Sequence, residues 1–403
     1  MRAGPGFIFA TLLLDIIGIG IIIPVLPEIV TDMVGGDESA AAHWFGPLVS
    51  LYAAMQVLAA PLFGSLSDRY GRRPVLLVSL AGMSVSYVIL GLAPSLPWLF
   101  LGRGLAGITG ATITTANAYM ADISTPETRA RNFGLVGAAF GVGFILGPAI
   151  GGILGEIGPR VPFFGAAAVV TLDVLWGLLV LPESLPVERR RAFTIADLSP
   201  QSSLRNLGVH PMVAGLALAL VFAALSQRSV ESVWVLHSSY RYGWGELQNG
   251  LSLAVFGVGA VAVQGGLVRW LVPRIGEPRA LVLGLGLQAI GHVLFGLATT
   301  GTLLLLMIPI TSLSAISGPA LQGLVTGVVP PDRQGAVQGA LASIQSLTFV
   351  FAPLISTTLF AMATDGTLPF ELPGLPFFVS GAMGGIAALA AWLVLRRHAG
   401  LGS

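Results

Sequence analysis

The sequence predicts an all-α membrane protein with twelve transmembrane helices in two pseudo-symmetric six-helix bundles. Three observations predict it. Only 20 basic and 19 acidic residues serve a chain of 403, 10% charged against 54% hydrophobic. A soluble domain carries about 25% charge, so this chain cannot coat a water-facing surface. Apolar runs long enough to cross a bilayer as helices, about 20 residues each, recur from end to end. Several landmarks also repeat at one ungapped offset of 205 residues.

In chain order the runs lie at roughly 6–29, 43–67, 74–93, 97–121, 132–154, 162–182, 211–236, 247–271, 279–298, 302–328, 335–361 and 374–395. Short charged or Pro/Gly-rich breaks separate them. The first begins at once but contains Asp15 and leads into further spans, so a cleaved leader is not expected. The second and third flank the tight loop Gly64–Arg73, the fourth contains Arg103, the fifth is rich in glycine around Pro148, and the sixth contains Asp173. The longest break, Glu183–His210, then divides six spans from six. The seventh run carries Arg228 and Glu231, the eighth Gln264, the ninth Gln288 and His292, and the tenth Gln322. The eleventh follows Pro331, and the twelfth ends before Arg396 and Arg397. The expected organisation is an N-terminal bundle over 1–183, a cytoplasmic linker over 184–210 and a C-terminal bundle over 211–403.

Arginine placement orients the chain. Arg2, Arg69, Arg72, Arg73, Arg129, Arg131, Arg189, Arg190, Arg191, Arg205, Arg269, Arg274, Arg279, Arg333, Arg396 and Arg397 fall on one side, while Arg160 and Arg241 fall in loops on the other. Positive residues stay inside, so both termini are expected in the cytoplasm, as the even span count requires. Composition also removes whole function classes. There is no lysine, hence no P-loop ATPase and no Schiff-base chemistry. With no cysteine, disulfides and thiolate chemistry are absent. A net charge of +1 argues against nucleic acid as a partner. No nucleophile–base or metal-ligand cluster is apparent, so neither an enzyme nor a cofactor or metal is expected. The partners expected are a small-molecule substrate, protons and the lipid bilayer, with the chain a monomer.

At the offset of 205, Pro126-Glu127 matches Pro331-Asp332, Gly134 matches Gly339, Pro148 matches Pro353, and Arg69 and Gly71 match Arg274 and Gly276. Parallel six-helix halves of this kind are a transporter layout, with the substrate site between the repeats. Generic likeness between apolar helices is the bland alternative, but it does not explain why the landmarks fall at equivalent places in the spans.

Two motifs carry more than topology. Gly64-Ser-Leu-Ser-Asp68-Arg69-Tyr70-Gly71-Arg72-Arg73 closes the turn between spans two and three. Positive-inside anchoring explains its arginines but neither Asp68 nor the glycines. Span five reads Gly134-x8-Gly143-x3-Gly147-Pro148-x2-Gly151-Gly152, small residues that let helices approach closely beside a bending proline. The first string resembles the loop signature of the major facilitator superfamily, and the second resembles its antiporter signature with every position filled. Gly102-Arg103-Gly104-Leu105-Ala106-Gly107 is similar to that superfamily's intramembrane arginine motif. The closer resemblance is to its tetracycline-resistance family of drug–proton antiporters. It rests on Leu14-Asp15-Ile16-Ile17-Gly18-Ile19-Gly20 through Pro24-Val25-Leu26-Pro27, on Leu51-Tyr52-Ala53-Ala54-Met55-Gln56, on Ala116-Asn117-Ala118-Tyr119-Met120-Ala121-Asp122, and on Leu181-Pro182-Glu183-Ser184-Leu185-Pro186. It covers nearly the whole chain and is strongest from about 10 to 190.

The resemblance implies a proton-coupled exporter of small amphipathic compounds, with tetracycline-like drugs foremost. It also implies that Gly64, Asp68, Arg69, Gly71, Arg72, Arg73, Asp122, Gly143, Gly147, Pro148, Gly151 and Gly152 serve gating, with Asp68 latching onto the N-terminus of span eleven. Ionisable groups inside spans cost about 2.5–3.5 kcal/mol each and are functional candidates by default. Asp15 lies about 14 Å into span one and Arg103 about 9 Å below the outer end of span four, so the two can meet if their helices are neighbours. A structural ion pair and a proton switch stand equally open there. Asp173 is the second candidate proton carrier. Arg228 and Glu231 can pair on one helix face toward the outer end of span seven, and His292 is expected to be a packing residue. Gln56, Asn117, Gln264, Gln288 and Gln322 suit a substrate cavity wall, or bonds to neighbouring helices.

The family's acidic residues in spans three and nine are matched here by Ser86-Tyr87 and Gln288, and its span-eight histidine by Ala260. Proton coupling would then rest on Asp15, Arg103 and Asp173. A nutrient symporter or facilitator such as a sugar carrier, or a non-transporting scaffold or receptor, are the competing functions. The complete span-five signature argues against the first.

Overall fold

The computed structural model describes residues 4–110, 112–190, 211–330 and 333–398. Eleven of its helices are long and apolar enough to cross a membrane. The fourth span is assembled from two shorter helices, Leu96–Thr109 and Thr112–Asp122. Every expected span therefore has its helix. Arg2, Arg191, Arg205, the pair Pro331-Asp332 and most of the expected linker lie outside the described residues.

The repeat is visible in the backbone. Span three, Arg72–Leu92, and span nine, Glu277–Leu297, each have 21 residues. Each starts from a glycine in the left-handed region, Gly71 at φ 105° and Gly276 at φ 80°, a conformation that a side chain would strain. Both end at an alanine of nearly the same geometry, Ala93 at φ −55°, ψ 118° and Ala298 at φ −63°, ψ 119°. Pro148 and Pro353 sit inside spans five and eleven. The interruption of span four between Thr109 and Thr112 is matched in span ten by a 3-10 turn over Leu313–Ile316. The offset of 205 thus relates helix starts, ends, prolines and breaks alike.

The repeat fails in two places. Span one is split into Pro5–Ile22 and Leu26–Met33 around Pro24, which lacks a backbone N–H and cannot continue a helix unstrained. Its counterpart, span seven, runs unbroken over Pro211–Tyr242. Span two is one helix, Glu38–Tyr70, whereas span eight, Glu246–Ile275, contains a π-helical turn over Val263–Leu267.

By packing, the chain forms two compact units that interleave its halves. One comprises Met1–Asp37, Leu51–Ser199 and Trp244–Gly257, the other Glu38–Ser50, Pro200–Gly243 and Val258–Ser403. In the first, the glycines of span five are ordered by face. Gly143, Gly147 and Gly151, four apart, lie on span one. A Cβ at Gly147 would stand 2.7 Å from the Gly20 Cα, and one at Gly143 2.7 Å from the Ile16 Cγ2. The adjoining face, with Gly152 and Gly155, meets the start of span eight; a Cβ at Gly152 would stand 2.7 Å from the Glu246 carbonyl. Backbone approach this close supplies dispersion contacts that help hold helices together in lipid.

In the second unit, Gly46 of span two seats against Pro353 and Thr357 of span eleven. Ser50 donates to the Val350 carbonyl at 2.7 Å, and Ser39 to Thr364 at 2.7 Å. Leu216, Leu281, Leu285 and Val337 belong to its apolar core. At the arginine-rich end the pattern reverses: Cβ atoms at Gly134 and Gly137 of span five, or at Gly335 and Gly339 of span eleven, would meet nothing within 4 Å.

Candidate functional site

The first unit gathers the ionisable residues of spans one, four and six. Asp15 is 1% exposed and Asp173 fully buried. Gly18, one turn along from Asp15, presses span one onto its neighbours: a Cβ there would lie 2.7 Å from Val170 of span six and 3.6 Å from Tyr87 of span three. Asp173 lies within the electrostatic reach of Asp15, with Thr11 beside its carboxylate. Yet Asp15 Oδ1, both Asp173 oxygens and Thr11 Oγ1 have no hydrogen-bond partner. Unpaired buried polar groups of this kind cost several kcal/mol.

Arg103 is 7% exposed. Its guanidinium sits 4.1 Å from the centre of the Tyr52 ring, and its Nε also lacks a partner. Among the described residues the ion pairs are elsewhere, so the two groups do not make the direct Asp15–Arg103 contact that a neighbouring placement allowed. Tyr52 and Tyr87 stand in the field of both, two aromatic hydroxyl residues beside the charged groups that sequence reasoning passed over. Gln56 donates to Tyr52 at 3.3 Å and to the Gly110 carbonyl at 3.0 Å. It thereby satisfies a backbone carbonyl at the break in span four, as non-helical backbone in a membrane requires.

The loop motif forms a dense polar staple within the same unit. Arg72 pairs with Asp68 at 2.5 Å and with Asp122 at 2.9 Å, and donates to Ser67 at 2.7 Å. Ser184 donates to Asp122 at 3.2 Å. Arg73 donates to the Leu178 carbonyl at 2.6 Å, and a cation is well placed at that helix C-terminus. Arg69 lies over the Tyr70 ring at 5.1 Å.

Glu183 was not assigned from sequence. It accepts from the backbone N–H groups of Arg72 at 2.9 Å and Arg73 at 3.2 Å. It therefore caps span three, whose first N–H groups have no partner within the helix. Gly71 is needed twice over, for its φ and because a Cβ there would collide with the Glu183 carboxylate. Ser67 donates to the Gly64 carbonyl at 2.7 Å. The contact the structure gives to Asp68 is Arg72, and the Pro331-Asp332 part of the expected latch lies outside the described residues.

The other candidates divide. Asn117 is half-buried, and Gln264 and Gln322 are exposed. Gln288 is buried and donates to the Ala223 carbonyl at 2.9 Å. His292 is buried, with Nδ1 2.9 Å from Ser226 Oγ, which in turn donates to the Ser380 carbonyl at 2.7 Å, the packing role expected of it. Arg228 pairs with Glu231 and covers the Phe349 ring at 3.9 Å. The unbroken span seven runs from Pro211 to Tyr242. The pair therefore stands near mid-helix and not toward the end expected of it, because the helix extends past the apolar run to Tyr242.

A profile of the Major Facilitator Superfamily matches residues 8–353 and again 216–402. The chain is 42% identical over 358 residues to the tetracycline resistance protein, class C, of Escherichia coli, covering 89% of this chain and 90% of that protein. It is 38% identical over 361 residues to the class G protein of Vibrio anguillarum, covering 88% and 89%. The crystal structure of the human organic anion transporter MFSD10 (TETRAN) superposes with a TM-score of 0.69 at 26% identity, over 96% of this chain and 98% of that one. With matching motifs, a matching fold and relatives this similar along nearly its full length, the chain belongs to the Major Facilitator Superfamily and, within it, to the tetracycline-resistance family of drug–proton antiporters.

Proposed function

We propose that this protein exports small amphipathic compounds, tetracycline-like drugs foremost, in exchange for protons by alternating access. It does so in the cell inner membrane, as a monomer with both termini in the cytoplasm. The observation that carries the reading is the set Asp15, Asp173 and Arg103, buried in one unit with polar atoms unpaired. A membrane helix has no structural reason to keep such costly groups, whereas a proton path needs them. Relatives named as tetracycline resistance proteins support the drug class.

Asp15 and Asp173 take up and release the proton, and Arg103, held on Tyr52, tunes the exchange. The Asp68–Arg73 loop, with Asp122, latches the cytoplasmic side. The packed glycines of the outer half of span five, Gly143 to Gly152 with Pro148, close the other side against spans one and eight. Gln56, Asn117, Gln264, Gln288 and Gln322 furnish the substrate path.

Inverted vesicles acidified inside test this reading: drug accumulates in them, and Asp15→Asn abolishes accumulation at normal protein abundance. Uptake indifferent to the proton gradient would overturn it in favour of a facilitator, and absence of any drug movement by the wild-type protein, with function unmoved by Asp15→Asn, would favour a scaffold. A susceptibility panel tests the substrate. Ser86, Ala260 and Gln288 stand where the resembled family has ionisable residues, so indifference across tetracyclines would confine the likeness to fold and coupling.

A further inference from the structure

At the arginine-rich end of the second unit, a groove of about 700 Å³ lies between the start of span nine and the end of span twelve. That is the size of a small-molecule site, about 300–1,000 Å³. Two helical stripes build it, Arg279, Val282 and Leu283 on one side and Trp392, Leu395 and Arg396 on the other. Each stripe follows the i, i+3, i+4 spacing of one helix face. Arg279 lies near the start of span nine and Arg396 near the end of span twelve, and in each span the apolar residues lie deeper. His398 adds a third basic side chain, and no lining residue is acidic. Glu277, the nearest carboxylate in sequence, is turned toward Gly323 of span ten. Arg396 lies over the Trp392 ring at 5.2 Å, with that indole and Leu283 exposed on the flank.

We propose that this groove binds an anionic phospholipid. Arg279 and Arg396 hold the headgroup phosphate, the indole marks the interface, and one acyl chain lies along Leu283 and Leu395. Charge decides the headgroup, since basic pockets between spans recognise anionic lipids. The exposed apolar floor decides for a lipid over a soluble anion, which would gain nothing from it.

Native mass spectrometry of the full-length protein titrated with phosphatidylglycerol tests the site, with phosphatidylcholine and inorganic phosphate as separate arms. One phosphatidylglycerol is retained. The Arg279→Gln/Arg396→Gln variant binds it about 30-fold more weakly, about 2 kcal/mol for two arginines at a membrane surface. The Arg279→Lys/Arg396→Lys pair retains most of the affinity, and Arg274→Gln, outside the groove lining and stacked on Trp270, leaves it unchanged. Equal retention of phosphatidylcholine, unchanged binding in the Gln pair, or displacement of the lipid by equimolar inorganic phosphate would each overturn the proposal. Should the Gln pair fail to fold, salt added to the wild-type protein carries the test: phosphatidylglycerol binding must fall as ionic strength rises, and a flat response sinks the idea.

Discussion

The two units differ in which buried polar groups they leave unpaired: among the described residues the unpaired carboxylates, Asp15 and Asp173, lie in the first. In the first, Asp15, Asp173, Thr11 and Arg103 each leave an atom without a partner. In the second, His292 is bonded to Ser226, Ser226 to Ser380 and Gln288 to Ala223, the half-buried Arg228 pairs with Glu231, and the buried atoms left unpaired, Ser229 Oγ, His237 Nε2 and Gln338 Nε2, belong to neutral side chains. A satisfied network rigidifies, because each group has already found its best contact. An unsatisfied one stores a preference for whatever ion or ligand completes it. The difference teaches where to look for chemistry in a membrane protein: at polar groups still without partners.

The sharpest way to break this comparison is to neutralise one residue from each side. Asp15→Asn is expected to abolish proton-driven drug accumulation in vesicles while the purified protein melts no lower than wild type. His292→Gln should retain transport. If the two variants behaved alike, the contrast between the units would be empty.

Packing gives the next effect. Gly147→Val forces a branched side chain into the Gly20 backbone, an overpacking of about 1–3 kcal/mol read as a lower melting temperature in detergent. Gly134→Ala meets open space and should melt as wild type. Ser226→Ala removes the hydroxyl linking His292 to Ser380, at a cost of about 1–2 kcal/mol, with coupling intact. A double-mutant cycle on Arg228 and Glu231 should return a coupling of about 0.5–3 kcal/mol, sharpening the claim that the second unit's charges serve each other.

The smallest effect belongs to Asp365, beyond the end of span eleven. Its carboxylate accepts the Thr367 N–H at 2.8 Å, and hydrogen bonding from Thr367 holds its pKa below the ordinary carboxylate range. A depressed acid pKa contributes stability above its unfolded value and loses it as pH falls through the folded one. Asp365→Asn should therefore lower the melting temperature slightly in the neutral region, where the carboxylate contributes, and flatten the acid limb of the profile, matching wild type in acid.

Much of this was legible in the residues. Hydropathy located every span because a bilayer imposes one length on all of them. The offset of 205 anticipated matching starts at Gly71 and Gly276, since a left-handed turn leaves a glycine behind in the sequence. The break in span four was not legible: Thr109-Gly110-Ala111-Thr112 carries no proline, and the Gln56 amide that satisfies it lies 54 positions away. Nor was the seating of Arg103 on the Tyr52 ring instead of on Asp15, because two depths along two helices do not fix the angles at which side chains face. The capping role of Glu183 is long-range in the same sense, 111 residues from the N–H it accepts, although its place after Leu181-Pro182 marked it as unlike a generic linker residue.

The interleaving of the two units has a consequence for biosynthesis. Residues 244–257 complete the first unit, and residues 38–50 belong to the second. A ribosome that has released the first six spans has thus produced an unfinished object, with the glycine face of span five around Gly152 still waiting for Glu246. Domains of larger chains usually fold as units, but here the first half on its own leaves the Gly152–Glu246 contact unmade. The first half must persist in the bilayer, with glycine-lined backbone bare to lipid, until span eight is inserted. A chain stopped at residue 183 should be recognised and degraded, and supplying 184–403 as a second polypeptide should rescue it.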